Sequence, residues 1–170
     1  TTFMFVMGIS MAAGMRISAA VGAGDQARLR GIGYGALGAG ATVATVFMAV
    51  YFLAGRVVAG WFVHDPAVVT VAAQLLVVAA VFQWFDGGQV IGAALLRGLK
   101  DVRVPTVITF IAYWIISIIG GYFAGIRGGL GAVGIWAALA GGLAFAAVLL
   151  VLRFRRLTRA TAASSRSAAG

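Results

Sequence analysis

The chain has no cysteine, no glutamate and a single histidine, His64, among its 170 residues. Disulfides and thiolate metal sites are therefore excluded, and one histidine cannot form a multi-histidine metal centre. The acidic residues are only four aspartates, which leaves little for a paired-carboxylate active site. No nucleophile–base pair or phosphate-binding loop stands in a suitable context. We therefore expect neither an enzyme nor a metal or organic cofactor.

Charge is also scarce, because only 10% of the residues are charged while 62% are hydrophobic. The mean hydropathy of +1.05 reflects long apolar stretches, which are typical of transmembrane helices. The net charge of +9 comes from basic residues placed between these stretches and at the C-terminus. This placement indicates membrane topology and not nucleic-acid binding. The sequence predicts an all-α, polytopic membrane helical bundle in contact with the lipid bilayer.

Five apolar spans are predicted, at about 3–20, 31–54, 67–96, 104–124 and 132–152. Asp65 and Pro66 are typical of a helix start, with aspartate at the cap and proline in the first turn. The third span, about thirty residues long, exceeds a ~30 Å hydrocarbon core and must tilt or project from it. Residues 1–157 are predicted to form one membrane unit, and 158–170 a disordered cytoplasmic tail.

The basic residues also predict the orientation of the chain. Ten of them follow the first, third and fifth spans, whereas only Arg56 and Arg127 lie on the opposite side. The positive-inside rule then places the C-terminus in the cytoplasm and the N-terminus outside. Arg16 lies about two turns inside the first span and can extend toward the same basic side. The start of the chain has neither an initiator methionine nor a basic signal region, which predicts a cut through a longer protein.

Glycines recur four residues apart in three of the spans. This spacing is typical of membrane helices whose backbones pack closely, and it occurs at Gly31 and Gly35, Gly88 and Gly92, and Gly121 and Gly125. The stretch GLGAVG at 129–134 matches a dinucleotide-binding pattern in letters only. No strand precedes it and it lies where a membrane helix begins, so we assign it no cofactor.

One carboxylate, Asp86, lies inside the third span in the stretch FQWFDGGQVIGAALLRGLKDVRVP. It is about 16 Å before Arg97 along a helix, and therefore close to the bilayer midplane. An aspartate there costs roughly 2.5–3.5 kcal/mol on insertion scales, so it must face the bundle interior or water. Such carboxylates mark ion pathways, which predicts a proton or cation site. Gly87 and Gly88 would allow local unwinding that frees carbonyl oxygens for a cation. The alternative is a structural aspartate that is hydrogen-bonded to a neighbouring helix.

Polar residues accompany Asp86 along the third span. Gln83 shares its face and is predicted to take part in ion binding. Gln74 and Gln89 extend the stripe, which has the character of a wall of an aqueous cavity. The fourth span contributes two further candidate lining residues, Tyr113 and Trp114. Asp101 is predicted to pair with a nearby base. The hydroxyl residues of the spans are predicted to bond back to the preceding helical turn, namely Ser10, Thr42, Thr45, Thr106, Thr109 and Ser117.

Several segments resemble a known family. In order and spacing, ISMAAGMRISAAVGAGDQARLR, HDPAVV, the Asp86 stretch, AYWIISIIGGYFAG and GAVGIW resemble the C-terminal half of MATE (multidrug and toxic compound extrusion) transporters of the bacterial NorM-like kind. The resemblance covers residues 8–154. It implies a twelve-helix, two-lobe membrane protein of which these are the last five helices. It also implies an antiporter in the bacterial inner membrane that expels drugs or toxic cationic or amphiphilic compounds in exchange for sodium ions or protons.

The resemblance also implies roles for residues. Asp86 matches the aspartate of the cation site in the C-terminal lobe, whereas Phe82 stands where many relatives carry a tyrosine. The acidic partners on the first helix of that lobe and the whole N-terminal lobe are absent from this chain, so the missing lobe is an implied partner. Two alternatives stay open, a lipid-linked oligosaccharide flippase of the same broad superfamily and a membrane fragment without transport activity.

Overall fold

The computed structural model describes residues 2–62 and 65–167, and five long helices account for nearly all of them. The helices are α1 (Thr2–Gly22), α2 (Gln26–Gly60), α3 (Pro66–Gly98), α4 (Arg103–Arg127) and α5 (Gly131–Ser167). Each contains a segment long and apolar enough to cross a membrane. The prediction of an all-α bundle with five membrane spans is therefore confirmed.

The helices are longer than the predicted apolar spans. Helix α2 has 35 residues and α3 has 33, which correspond to about 50 Å of helix each. Helix α3 begins at Pro66, as predicted, and its first turn is closed by the amide of Val69 donating to the carbonyl of Asp65 at 2.9 Å. The neighbouring His64 lies outside the described residues. Apolar periodicity thus located the helices but underestimated how far their polar ends continue.

The largest difference concerns the C-terminal end. Helix α5 continues to Ser167, whereas a disordered tail was predicted from residue 158. Two buried residues beyond the apolar span hold this extension on the bundle. Phe154 is fully buried, and Thr158 is buried and donates its hydroxyl to the Phe154 carbonyl at 2.9 Å. Arginine and alanine, which make up half of residues 158–167, are also good helix formers.

Helix α3 lies at the centre of the bundle and packs against α1, α2 and α5. The apolar side chains of α3 and of these three helices form one core, which includes Val6, Ile17, Leu29, Ile91, Leu95, Leu96, Leu150 and Phe154. Close approach depends on small residues. A Cβ on Gly92 would lie 3.0 Å from the Leu150 Cβ, and one on Gly125 would lie 2.9 Å from the Gly131 carbonyl oxygen. Predicted close packing is therefore confirmed between α3 and α5 and between α4 and α5.

The prediction of close packing is wrong for the glycines of α2. A Cβ on Gly31 or Gly35 would meet nothing within 4 Å. The packed glycines of this helix are Gly33, which touches the Phe154 ring, and Gly40, which touches Ile91. They lie on the face of α2 that is turned to the core. The four-residue spacing alone therefore selected the wrong side of the helix.

The backbone hydrogen-bonding pattern of helix α4 changes along its length. It is α-helical over Arg103–Phe110 and takes π-helical turns over Ile111–Ile119 and Tyr122–Arg127. The hydroxyl of Ser117 donates to the carbonyl of Ala112, five residues earlier, at 3.0 Å. Nothing in the sequence predicted this wider turn. The other predicted bonds to a preceding turn are confirmed for Ser10, Thr42, Thr106 and Thr109, whereas Thr45 accepts a bond from Trp84.

The C-terminal ends of α1 and α3 and the part of α5 around Arg153 meet at one end of the bundle. The Ser18 hydroxyl of α1 contacts the Gly98 carbonyl of α3 at 3.5 Å. In the loop after α3, Asp101 pairs with Arg153 of α5, with 2.9 Å between Oδ2 and Nε. The predicted pairing of Asp101 with a base is therefore confirmed, although the base lies on a distant helix. The basic clusters that follow the first, third and fifth predicted apolar spans consequently share one side.

Candidate functional site

Asp86 lies in a regular part of α3. The helix continues unbroken through Gly87 and Gly88, so the predicted local unwinding does not occur. Both glycines serve packing instead. A Cβ on Gly87 would lie 3.4 Å from Val6 of α1, and one on Gly88 would lie 3.5 Å from Ala147 of α5. Since the carbonyl groups remain in the helix, only the side chains of this region are available to bind an ion.

The neighbours of Asp86 define the direction of its side chain. Gln89, three residues later, accepts a hydrogen bond from the Tyr113 hydroxyl of α4 at 3.1 Å. Gly87 faces α1. At about 100° per residue, Asp86 projects about 60° from Gln89 and about 100° from Gly87. The carboxylate is therefore directed toward the gap between α4 and α1, and not toward α2 or α5.

A cavity of about 720 Å³ occupies this gap. Helices α1, α3 and α4 line it, and three of the predicted lining residues, Gln89, Tyr113 and Trp114, are among its walls. Its other polar groups include Ser10, Thr106 and Thr109, Arg97 lies at its basic end, and its apolar walls include Phe3, Met7, Met11 and Phe110. Asp86 and Gln83 lie on the same flank of α3 but do not line this cavity. The side chain of Gln74 lies outside the described residues.

Asp86 and Gln83 share an unusual property among the described side chains. Asp86 is half-buried, and no hydrogen bond or ion pair joins its carboxylate to another described residue. Gln83, one turn earlier, has a buried amide nitrogen that also lacks a partner in the described part of the chain. Buried polar groups normally have partners, because an unmade hydrogen bond costs about 1–3 kcal/mol. The Asp86 carboxylate can bind a proton or a hard cation through its oxygens, whereas the Gln83 amide could take part only through its Oε1 atom and not through the unpartnered Nε2 atom.

The structural alternative for Asp86 required a bond to a neighbouring helix. No described residue of another helix bonds its carboxylate, and the Tyr113 hydroxyl of α4, which borders the same gap, donates to Gln89 at 3.1 Å. Asp86 therefore does not join two helices within the described residues. The sequence did not indicate the Tyr113–Gln89 bond, because the two residues are 24 apart and on helices whose facing sides no local pattern specifies.

Five apolar spans, a carboxylate inside one of them that has no partner among the described residues, and an adjoining cavity with polar walls define a polytopic α-helical membrane protein. Comparison with known families agrees, because the sequence profile of the MatE family matches residues 1–123. The chain belongs to the MatE family.

Curated relatives extend the match over nearly the whole chain. "Multidrug resistance protein NorM" of Burkholderia vietnamiensis is 41% identical over 169 residues, which are 96% of this chain and 37% of the relative. "Probable multidrug resistance protein NorM" of Deinococcus radiodurans is 39% identical over 163 residues, 93% of this chain and 36% of the relative. The protein with the same name in Pseudomonas putida is 39% identical over 159 residues, 91% and 34% respectively. The chain thus spans little more than a third of the length of these relatives.

Proposed function

We propose that the chain is the C-terminal membrane part of a multidrug efflux antiporter. The complete protein exports cationic or amphiphilic compounds in exchange for sodium ions or protons by alternating access. Membership of the MatE family and the names of the NorM relatives support this function. The observation that carries it is the Asp86 carboxylate, which lies within a membrane-spanning helix and has no partner among the described residues.

In this proposal Asp86 binds the coupling ion and Gln83 supplies a neutral oxygen beside it. Binding a proton or sodium ion neutralises the carboxylate, which lowers the cost of holding it at membrane depth. Ion binding and release therefore shift the conformational equilibrium of α3 between a state in which Asp86 is open to water and a state in which it is closed off from water. A change of this kind is the coupling that an antiporter needs, because an ion shifts a conformational equilibrium only by its differential affinity for the two states.

The exported compound contacts the cavity beside this site. Gln89, Tyr113 and Trp114 give it one polar and two aromatic surfaces, and aromatic faces attract organic cations. Transport by alternating access requires one lobe to move against another. The N-terminal lobe of the complete transporter is accordingly the partner of this part, in the inner membrane of a bacterium. The C-terminus then faces the cytoplasm, where the basic ends of α1, α3 and α5 lie.

The test uses the complete protein in proteoliposomes, with a sodium gradient and a proton gradient imposed separately. Efflux of a fluorescent organic cation should follow one of the two gradients. Asp86→Asn should lower this gradient-driven efflux to the level of protein-free liposomes, because an amide neither releases a proton nor balances a cation. The matched control is Asp25→Asn, which makes the same chemical change at a residue whose side chain is 39% exposed and pairs only with Arg28 among the described residues. Full ion-coupled efflux by Asp86→Asn would show that the carboxylate is not the coupling site.

A further inference from the structure

A second cavity, of about 770 Å³, lies between α1 and α2 toward their basic ends. Most of its walls are small residues, including Ala12, Ala19, Ala23, Gly31, Gly35 and Ala39. Gly31 and Gly35 are the two glycines whose Cβ would meet nothing within 4 Å, so this groove is open along the outer face of α2. The core-facing side of the same helix is tightly packed. The small residues of the outer face therefore leave room for a narrow apolar occupant.

Three charged residues lie in this groove, and their balance is positive. Arg28 pairs with Asp25, with 3.1 Å between Nε and Oδ2, and the pair is exposed. Arg16 also lines the groove, but no described carboxylate pairs with it. It lies six residues before the end of α1, about 9 Å inside the apolar span. A guanidinium keeps its charge there, and its planar fork matches the oxygens of a phosphate.

We propose that this groove binds an anionic phospholipid. The lipid phosphate contacts Arg16 and Arg28, and one acyl chain lies along the alanines and glycines between α1 and α2. An anionic phospholipid supplies both an anion for Arg16 and a narrow apolar chain for the alanines and glycines, whereas a second copy of this surface would leave Arg16 without an anion. The groove also opens at the end of the bundle where basic residues concentrate, and basic pockets between membrane helices at that level bind anionic head groups. This inference does not depend on the proposed transport function.

The test measures lipid retention by the purified complete protein, without any transport assay. The protein is exposed to mixed micelles with equal amounts of phosphatidylglycerol and phosphatidylcholine, and retained lipids are counted by native mass spectrometry. Wild type should prefer phosphatidylglycerol. Arg16→Gln should lower that preference about tenfold, the loss expected for one charge-assisted contact. Arg30→Gln is the matched control, since it removes the same charge from α2 at a residue that does not line the groove, and it should keep the preference.

A second variant tests the apolar half of the groove. Gly35→Leu fills the space beside α2 and should fold normally, because its Cβ meets nothing within 4 Å. It should lower phosphatidylglycerol retention while both arginines remain. Equal retention of the two lipids by wild type, or unchanged preference in Arg16→Gln, overturns the proposal. So does a Gly35→Leu protein that keeps its lipid but loses thermal stability or changes oligomeric state, because that result assigns the groove to a protein contact.

Discussion

Replacing Gly142 by alanine should force α4 and α5 apart. A Cβ at this position would lie 2.6 Å from the Ala112 carbonyl oxygen and would also contact the Ser117 hydroxyl. A carbon and a carbonyl oxygen approach no closer than about 3.3 Å in favourable contacts, so the shortfall is about 0.7 Å. The Ser117 hydroxyl can rotate away, but the Ala112 oxygen belongs to the π-helical backbone of α4. The two helices must therefore move.

The magnitude follows from three contributions. Overpacking of this kind costs about 1–3 kcal/mol. Rotation of Ser117 removes its hydrogen bond to Ala112, which adds about 1 kcal/mol. Exchanging glycine for alanine inside a helix returns about 1 kcal/mol. We therefore expect Gly142→Ala to lower the free energy of unfolding by about 1–3 kcal/mol.

The neighbouring glycine provides the control. Gly141 is exposed and a Cβ there meets nothing within 4 Å, so Gly141→Ala should leave the stability unchanged or raise it by up to about 1 kcal/mol. The assay is thermal unfolding of the complete protein in detergent, followed by the loss of the monodisperse peak in size-exclusion chromatography. Of these two adjacent and chemically identical substitutions, Gly142→Ala should lower the midpoint of unfolding, whereas Gly141→Ala should keep or raise it. Equal shifts would refute the close approach of α5 to the π-helical turn.

Two further predictions concern polar contacts between helices. Tyr113→Phe leaves the buried Gln89 oxygen without its donor and should lower stability by about 1–2 kcal/mol in the same thermal assay, whereas Tyr122→Phe, an exposed tyrosine on the same helix, should not. A loss in both variants would contradict this reasoning. Asp101→Asn should lower the free energy of unfolding by about 1 kcal/mol or less. The side chain of its partner Arg153 is 37% exposed, so the ion pair is partly screened by water. This loss of stability should become smaller at high salt and should disappear when Arg153 is already replaced by glutamine. If the effects of the two substitutions simply add, the ion pair contributes nothing to stability.

The part of the fold that the sequence predicted is the part that depends on single helices. Apolar runs with at most one charged residue located all five spans, because the hydrocarbon core of a membrane requires such runs. The Asp65–Pro66 start of α3 was also predicted, since capping and the fixed φ of proline are local properties. The helix at the C-terminal end was missed because Phe154 and Thr158 hold it through contacts with the rest of the bundle.

The candidate site divides in the same way. The chemistry of Asp86 was visible in the sequence, because a carboxylate in an apolar span is costly wherever the other helices lie. The residues around it were less predictable. Gln89 shares the helix with Asp86 but turns to Tyr113, and the two glycines beside Asp86 pack against α1 and α5 without unwinding the helix. The spacing of two residues along a helix gives the angle between their side chains, but it does not say which neighbouring helix each side chain faces.

The sequence by itself determined that this chain enters a membrane as five helices, that one side of it is basic, and that one carboxylate lies inside an apolar span. These properties follow from the partition of each segment between water and lipid, which depends on local composition. Only the tertiary structure decided which face of α2 packs, where α4 widens into π-helical turns, and which helices border the cavities. Those properties depend on contacts between residues far apart in the chain, and small side chains permit close packing without specifying the partner.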